Sequence, residues 1–346
     1  MSKGSRIWRS LANLAALASP LALFVSCEAP IEQPACGVSE LADCEGREVP
    51  QGLACIPSGS FSRRVVELDP YRSHEVCIVI SRPLLVDATE VTQGAWKALS
   101  GGTNPSCQQT SILPNCLETN DFDRGPVETV DWYSAIDFAN ARSAREGLER
   151  CYQLEGCDDP VDGWKDGVHS GCGGWTFRGL ECLGYRLSTQ AEWEYFARAG
   201  SDAATYAGDL SSTLGCGIVV SGGGGFAPNS LLTDLGWFAC NSEGKTQSVG
   251  MKAPNQWGLF DLLGNVAEWN MDSSGGLVFT AAVAGKDRLS DPLELDTLFV
   301  LASGGGATDD AYWMHIPSSR VLSRIESSSG LGIRLVRSLP PLGNAR

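Results

Sequence analysis

Apolar residues recur at helical spacing in residues 131–147 of the chain. The positions i, i+3, i+4 and i+7 are occupied by Trp132, Ala135, Ile136 and Ala139. Asp131 stands at the start of this pattern, where a carboxylate can accept from the first backbone N–H groups of a helix, and Gly147 ends it. This spacing predicts an amphipathic helix with one buried face.

Two shorter helices are predicted from the same kind of pattern. Thr92 is a candidate N-cap and Gly101 a stop signal for the first, whose apolar face is Ala95, Trp96 and Leu99. The second begins at Thr189 with Glu192 three residues later, which is the spacing of a capping box, and ends at Gly200. Glu192 is therefore expected to act as a helix-cap residue before it is considered as a catalytic carboxylate.

The remaining chain consists of short β-prone runs and irregular segments. The clearest runs are "RPLLVDAT", "LFVLAS" and "GIRLVR". Short strands scattered among a few helices predict an α+β fold with little regular secondary structure. The texture is uniform from residue 51 to residue 340, without a linker or a repeat of fixed period, so one domain is expected over 51–340.

The first 26 residues have the composition of an export signal. Three basic residues precede an apolar segment that is too short, and too interrupted by proline, to span a membrane. The run "LFVSC" resembles a bacterial lipobox, in which Cys27 would carry the lipid; an ordinary cleaved signal is the alternative. We expect residues 27–50 to form a lipidated acidic tether and 341–346 a short tail. The chain is then a lipoprotein of the bacterial cell envelope, held on the membrane and facing the periplasm or the cell surface.

Charge and cysteine content narrow the function and the compartment. The formal net charge of −15 argues against nucleic-acid binding, which needs a basic surface. Thirteen cysteines less a lipidated Cys27 leave an even number, which predicts disulfides in an oxidising compartment. A zinc site is the weaker alternative, because no C-x-x-C occurs and the three histidines are far apart. Short loops favour the pairs Cys36–Cys44 and Cys107–Cys116, and a second group is expected to pair within itself: Cys151, Cys157, Cys172 and Cys182.

Six segments in order resemble the sulfatase-modifying factor family, whose founding member is the formylglycine-generating enzyme. They are "IPSGSF", "DATEVTQGAW", "GPVETVDWYSAIDFAN", "GYRLSTQAEWEYFARAG", "VGMKAPNQWGLFDLLGNVAEWNMD" and "GLGIRLVR". They extend over about residues 52–338, and the cysteine-containing insert looks like the bacterial lipoprotein branch of the family. The resemblance implies a C-type-lectin-like formylglycine-generating-enzyme fold, of the α+β class, with low regular secondary structure and disulfides.

The family's best-known reaction oxidises a sulfatase cysteine to formylglycine with dioxygen. That reaction depends on two cysteines that bind copper(I), a soft ion matched to thiolates, a few residues after a "GGS" motif. In this chain the corresponding positions hold Asp309 and Trp313, the serine of the motif is Gly306, and its preceding arginine is Ser303. The resemblance therefore implies no catalytic residue here, and copper is not expected.

The family's calcium-binding segment is retained in "GLFDLLGNVAEW". The resemblance implies side-chain ligands from Asp261 and Glu268 and backbone carbonyl ligands from Gly264 and Val266, with Glu90 as a further acidic position. The alternative is that the two acidic residues only cap turns. A bound calcium would be structural, because it would hold irregular backbone in place.

Two functions are consistent with these observations. In the first, the chain is a non-catalytic, calcium-stabilised binding or accessory module whose ligand is an unknown protein or glycan. In the second, it is an active formylglycine-generating oxidase. The absence of cysteine after Cys240 favours the first.

Overall fold

The computed structural model describes residue 36 and residues 44–66, 73–106, 122–157, 172–210, 230–273, 288–295 and 299–340. All of these belong to a single unit, Cys36–Arg346. The signal segment, Cys27, the tail and the pair Cys107–Cys116 lie outside the described residues. Within the described part of the chain, no helix has both the length and the apolar character needed to cross a membrane.

The three helices predicted from the sequence are present and begin at the predicted caps. Helix α1 is Gln93–Leu99, α2 is Trp132–Arg145, α3 is Gln190–Arg198, and a fourth, α4, is Ser230–Leu235. The Thr92 and Asp131 side chains accept from the backbone N–H groups of Ala95 and Ser134, and Thr189 forms the full capping box with Glu192. One detail is wrong: Ala95 is exposed, so the buried side of α1 is formed by Trp96 and, in part, Leu99.

Thirteen short strands form four small sheets among the described residues. The strands are β1 (Leu53–Ile56), β2 (Gly59–Val66), β3 (Ser73–Ile80), β4 (Leu84–Asp87), β5 (Tyr152–Glu155), β6 (Gly174–Phe177), β7 (Arg186–Leu187), β8 (Ala267–Ser273), β9 (Arg288–Ser290), β10 (Phe299–Ser303), β11 (Ser319–Ser323), β12 (Leu331–Gly332) and β13 (Leu335–Ser338). The sheet orders are β1-β4-β13-β7, β11-β10-β8-β12, β2-β3-β9 and β5-β6. The β-prone runs of the sequence correspond to β4, β10 and β12 with β13, which confirms the α+β class.

Two hydrophobic clusters form the core. In the first, Trp193 and Phe196 of α3 share a cluster with Val76 and Ile78 of β3. In the second, Trp132 and other residues of α2 share a cluster with Trp269 of β8. These aromatic side chains are almost completely buried. Because large buried aromatics dominate core energetics, α2 and α3 fix the sheets that carry the loops of the candidate site.

Four disulfides join described residues: Cys36–Cys77, Cys44–Cys55, Cys151–Cys182 and Cys157–Cys172. The pairing of the last four cysteines among themselves is confirmed. The expected pair Cys36–Cys44 is wrong. The Ser60 hydroxyl donates to the Cys36 carbonyl at 2.9 Å, so Cys36 lies against β2 and reaches Cys77 on the neighbouring β3. Pairing thus follows strand adjacency rather than sequence distance.

Candidate functional site

The glycine loop that follows β10 has a backbone that only glycine adopts easily. Gly304 and Gly305 have φ values of 94° and 70°. A Cβ at Gly305 would lie 2.2 Å from the Met314 Cε and 3.1 Å from the Trp313 carbonyl oxygen. Glycine is therefore required by the turn and by the close packing of the next segment. The backbone shape of this loop does not depend on a metal ligand.

Asp309 and Trp313, expected from the resemblance to stand at the copper-cysteine positions, both contact Arg320. The Asp309 carboxylate accepts from the Gly306 N–H at 2.7 Å and forms an ion pair with Arg320 of β11. The Arg320 guanidinium lies over the Trp313 ring, with Cζ 4.5 Å from the ring centroid. Asp309, Arg320 and Trp313 thus form a connected polar and aromatic cluster beside the glycine loop. Arg320 was not identified from the sequence.

The space beside the glycine loop is small. The cavity lined by Gly244, Thr246, Ala307, Thr308 and Gly330, with two neighbours, has a volume of about 10 Å³. That volume is about the minimum that accommodates one water molecule. Ser303, at the arginine position of the motif, is buried and donates to the Asn270 side-chain oxygen at 2.6 Å. Among the described residues, the cavity beside the loop is therefore too small for a substrate side chain.

The predicted calcium segment leads into β8, and its glutamate is already bonded. The Glu268 Oε1 accepts from Arg334 Nε at 2.9 Å, and its Oε2 accepts from the Trp193 indole N–H at 2.7 Å. Both Glu268 and Arg334 are about 1% exposed. The Arg334 guanidinium also donates to the carbonyls of Asp87 and Phe260. Glu268 is therefore an acceptor at the centre of a buried polar network.

Glu90 fixes the same segment from the other side. Its two carboxylate oxygens accept from the Val266 N–H at 2.9 Å and from the Asn265 side-chain amide at 2.7 Å. Burial raises the pKa of Glu90 well above its usual range, and the nearby Asp261 and Glu268 carboxylates raise it further. The structure thus brings Glu90 into the same network as the segment's own acidic residues.

Asp261 has an oxygen that is available for a ligand. Its Oδ2 accepts from the Gly250 N–H, whereas its Oδ1 is buried and has no hydrogen-bond partner. The backbone at Asp261 has a φ of 56°, in the left-handed region that Asp and Asn tolerate better than most residues. Burial raises the pKa of this carboxyl group. A buried, unsatisfied carboxylate oxygen requires a proton, a water molecule or a cation.

The donor set fits a hard cation only in part. Three carboxylates, from Glu90, Asp261 and Glu268, surround one guanidinium, from Arg334, so the cluster has surplus negative charge when ionised. However, no group of three His, Cys, Asp or Glu side chains in the described ranges is arranged to hold a metal ion. The Asp261 Oδ1 is the oxygen that fits best, and further ligands would have to include backbone carbonyls. Arg334 could have been found from the sequence, because it lies in the quoted "GIRLVR".

The fold and the glycine loop define the class of protein: a disulfide-linked α+β domain in which a glycine loop lies beside a buried network of acidic residues. A family model described as "Sulfatase-modifying factor enzyme 1-like domain" matches residues 39–339. The chain belongs to this family.

Two curated relatives are similar over about half of the chain. "Chaperone protein LppX" of Paenibacillus barcinonensis is 34% identical over 186 residues, which cover 52% of this chain and 59% of the relative. "Formylglycine-generating enzyme" of Mycobacterium tuberculosis (strain ATCC 25618 / H37Rv) is 40% identical over 187 residues, which cover 53% of this chain and 57% of the relative. The chain therefore matches less than two thirds of the length of each of these relatives.

Solved structures share the fold over most of the chain. Treponema denticola variable protein 1 aligns with a TM-score of 0.60 at 25% identity, covering 83% of this chain and 95% of that one. PvdO from Pseudomonas aeruginosa aligns with a TM-score of 0.51 at 18% identity, covering 83% and 94%. These likenesses confirm the formylglycine-generating-enzyme fold that the sequence predicts.

Proposed function

We propose that this chain is a non-catalytic, lipid-anchored member of its family that acts outside the cytoplasm as a binding or accessory module. The observation that carries the proposal is the occupation of the two copper-ligand positions by Asp309 and Trp313. Both side chains contact Arg320, so neither position offers a soft donor.

The cysteines elsewhere in the chain support the same conclusion. The nine cysteines in the part of the chain that the structure describes are all disulfide-bonded. An oxidised cysteine has no thiolate and cannot ligate copper(I). No cysteine occurs after Cys240, so none is available on the segment that follows the glycine loop.

The location and the accessory role rest on different observations. Multiple disulfides are typical of chains that fold in oxidising compartments. The lipid anchor is proposed from the lipobox-like run that ends in Cys27. An accessory role is proposed from the similarity to the relative named as a chaperone. The ligand, a protein or a glycan, is not identified by these observations.

The alternative function is that of an active formylglycine-generating oxidase. It is favoured by the 40% identity to the mycobacterial formylglycine-generating enzyme over half of the chain. It requires a pair of thiolates that this chain does not supply at the corresponding positions, so we place it second.

Copper(I) competition tests the loss of the metal site. The protein is produced without its signal and with Cys27→Ser, and is titrated into a coloured copper(I)–chelator complex under ascorbate, with its disulfides intact. We expect no withdrawal of copper(I), because every cysteine among the described residues is disulfide-bonded and none lies after the glycine loop. The mycobacterial relative serves as the positive control. Withdrawal of one equivalent by this protein would contradict the proposal.

We also propose that calcium binds at Asp261, assisted by backbone carbonyls of Gly264 and Val266, with Glu268 and Glu90 supplying negative charge. The Asp261 Oδ1 without a partner supports this proposal. Its role would be structural, since the ion would hold together the acidic segment that leads into β8.

Chelation tests the calcium proposal. A ligand present at about 100 times its dissociation constant stabilises the folded state by about 2.7 kcal/mol, so EDTA is expected to lower the melting temperature by roughly 4–8 °C. Asp261→Asn retains the acceptor for the Gly250 N–H and is expected to lose the response to EDTA. Asp202→Asn, at an exposed carboxylate, is expected to retain it. A wild-type protein that melts at the same temperature with and without EDTA would refute calcium binding.

A further inference from the structure

A second and larger cavity lies on another part of the domain. It has a volume of about 450 Å³ and is lined by residues of α1, α2 and the segment that follows β4. This volume is within the range of small-molecule sites, which is about 300–1,000 Å³. The cavity shares no lining residue with the small cavity beside the glycine loop.

One side of this cavity is apolar. Phe138 and Val91 are buried, and Leu99 is half-buried. Ala95 and Ala98 of α1 are exposed and also line the cavity. Because an alanine side chain ends at Cβ, α1 leaves this space open along its exposed edge. An apolar group of a ligand could bury its surface here.

The other side carries Arg142 of α2, which is held rigidly. Its Nη1 donates to both Asp87 oxygens, at 2.8 and 2.9 Å, and its Nε donates to Glu146 at 3.2 Å. The guanidinium also lies over the Tyr185 ring, with Cζ 4.0 Å from the centroid. None of its hydrogen bonds to described residues uses Nη2, and the side chain is 21% exposed. The guanidinium is thus oriented before any ligand arrives.

A second arginine stands beside the first. Arg145 is one turn further along α2, so the two side chains project from the same face of the helix. Arg145 lines the cavity and donates through Nη1 to the Ala98 carbonyl at 3.0 Å. Among the described residues this is its one hydrogen bond, which leaves Nη2 and Nε available.

The acceptors in the cavity wall are already engaged. Asp87 accepts from Arg142 and from the Leu335 N–H, and Glu146 accepts from Arg142 and from the Tyr185 hydroxyl. The Glu90 oxygens face the Asn265–Val266 segment. The guanidinium N–H groups of Arg142 and Arg145 that have no partner therefore remain available as donors, and their geometry matches a carboxylate.

We propose that this cavity binds a small carboxylate with an apolar body, whose acid group contacts Arg142 and Arg145 and whose hydrocarbon or ring packs against Leu99 and Phe138. The same chemistry is carried by a medium-chain fatty acid and by the C-terminus of a peptide that ends in an apolar residue. The inference is independent of the proposed loss of catalysis, because the two sites share no residue.

Calorimetric titration of the Cys27→Ser protein tests the proposal with octanoate, octanamide and N-acetyl-phenylalanine. We expect octanoate to bind about tenfold more tightly than octanamide, because a charge-assisted hydrogen bond is about twice as strong as a neutral one. Binding of N-acetyl-phenylalanine alone would identify a peptide terminus as the source, and binding of octanoate alone a fatty acid. Binding of neither acid, or equal affinity for octanoate and octanamide, would overturn the proposal.

Two variants and a control assign the binding to this cavity. Ala98→Trp fills the cavity from an exposed helix position and is expected to abolish binding. Arg145→Gln is expected to weaken it about fivefold or more. Arg178→Gln removes an exposed arginine that does not line the cavity and is expected to leave the affinity unchanged. Binding that survives Ala98→Trp, or that weakens equally in Arg178→Gln and Arg145→Gln, would place the ligand elsewhere and overturn the assignment.

Discussion

Replacing Arg334 with methionine is expected to lower the free energy of unfolding by about 3–5 kcal/mol, because it leaves a buried charge without its partner. Arg334 and Glu268 are each about 1% exposed and lie 2.8 Å apart. The same substitution strands the carbonyls of Asp87 and Phe260, which accept from the guanidinium. The loss is to be measured by urea denaturation with the disulfides intact and EDTA present, so that no cation contributes.

Two further variants distinguish the effect of a stranded buried charge from the effect of removing any arginine. Arg178→Gln breaks an exposed pair with Glu149 and is expected to cost less than about 1 kcal/mol. The double variant Arg334→Met/Glu268→Gln is expected to recover part of the loss, because glutamine carries no charge and retains an acceptor for the Trp193 indole. If Arg334→Met and Arg178→Gln are equally mild, Arg334 is not the centre of the network.

The second large effect concerns the pH dependence of stability. Burial, with a smaller contribution from the nearby Glu192 carboxylate, raises the pKa of Asp272 to about 7, even though the hydrogen bond from the Gln190 N–H lowers it. The folded-state pKa exceeds the ordinary value of 3.8, so the folded state binds a proton that the unfolded state has released. The contribution of Asp272 to stability is therefore complete at low pH and disappears as the pH rises through about 7, at about 1.4 kcal/mol for each pH unit between these two values.

Asp272→Asn isolates this group from the other buried carboxyls. Asparagine retains an acceptor for the Gln190 N–H and cannot ionise. We expect the difference in unfolding free energy between the variant and wild type to grow in the variant's favour by about 2–3 kcal/mol from pH 5 to pH 8. Asp202→Asn should follow wild type at both pH values. An Asp272→Asn protein with the wild-type pH profile would show that Asp272 titrates normally.

The local elements could be predicted from the sequence because their signals are local. The caps at Thr92, Asp131 and Thr189 act within three or four residues of themselves, and each one begins a helix at the predicted place. The error at Ala95 has the same origin. A periodic pattern indicates which residues share a face, but alanine is too small to decide whether that position is covered.

Long-range partners could not be predicted in the same way. Cys36 pairs with Cys77 because β2 and β3 are neighbours, and a sequence distance contains no information about that adjacency. Arg320 lies on β11, whereas its partner Asp309 lies in the glycine loop after β10. Arg142 binds Asp87, which is 55 positions away in the sequence. A single sequence shows such arginines only as ordinary polar positions on a strand or helix.

The glycine loop shows why the fold can persist under the proposed loss of catalysis. Gly304 and Gly305 have positive φ values and lie close to the backbone carbonyls of Leu262 and Trp313. Under the proposal, Asp309 and Trp313 stand where the metal ligands would be, and both contact Arg320. Family membership is therefore stronger evidence for the fold of this chain than for its reaction.

Formylglycine formation tests the proposed loss of catalysis most directly. The Cys27→Ser protein is incubated with copper(I), dioxygen and a peptide that carries the sulfatase motif Cys-x-Pro-x-Arg, with the mycobacterial relative as positive control. Mass spectrometry then detects the mass loss that marks conversion of cysteine to formylglycine. We expect no conversion above a protein-free control. Conversion above that control, abolished by heat denaturation of the protein, would contradict the account.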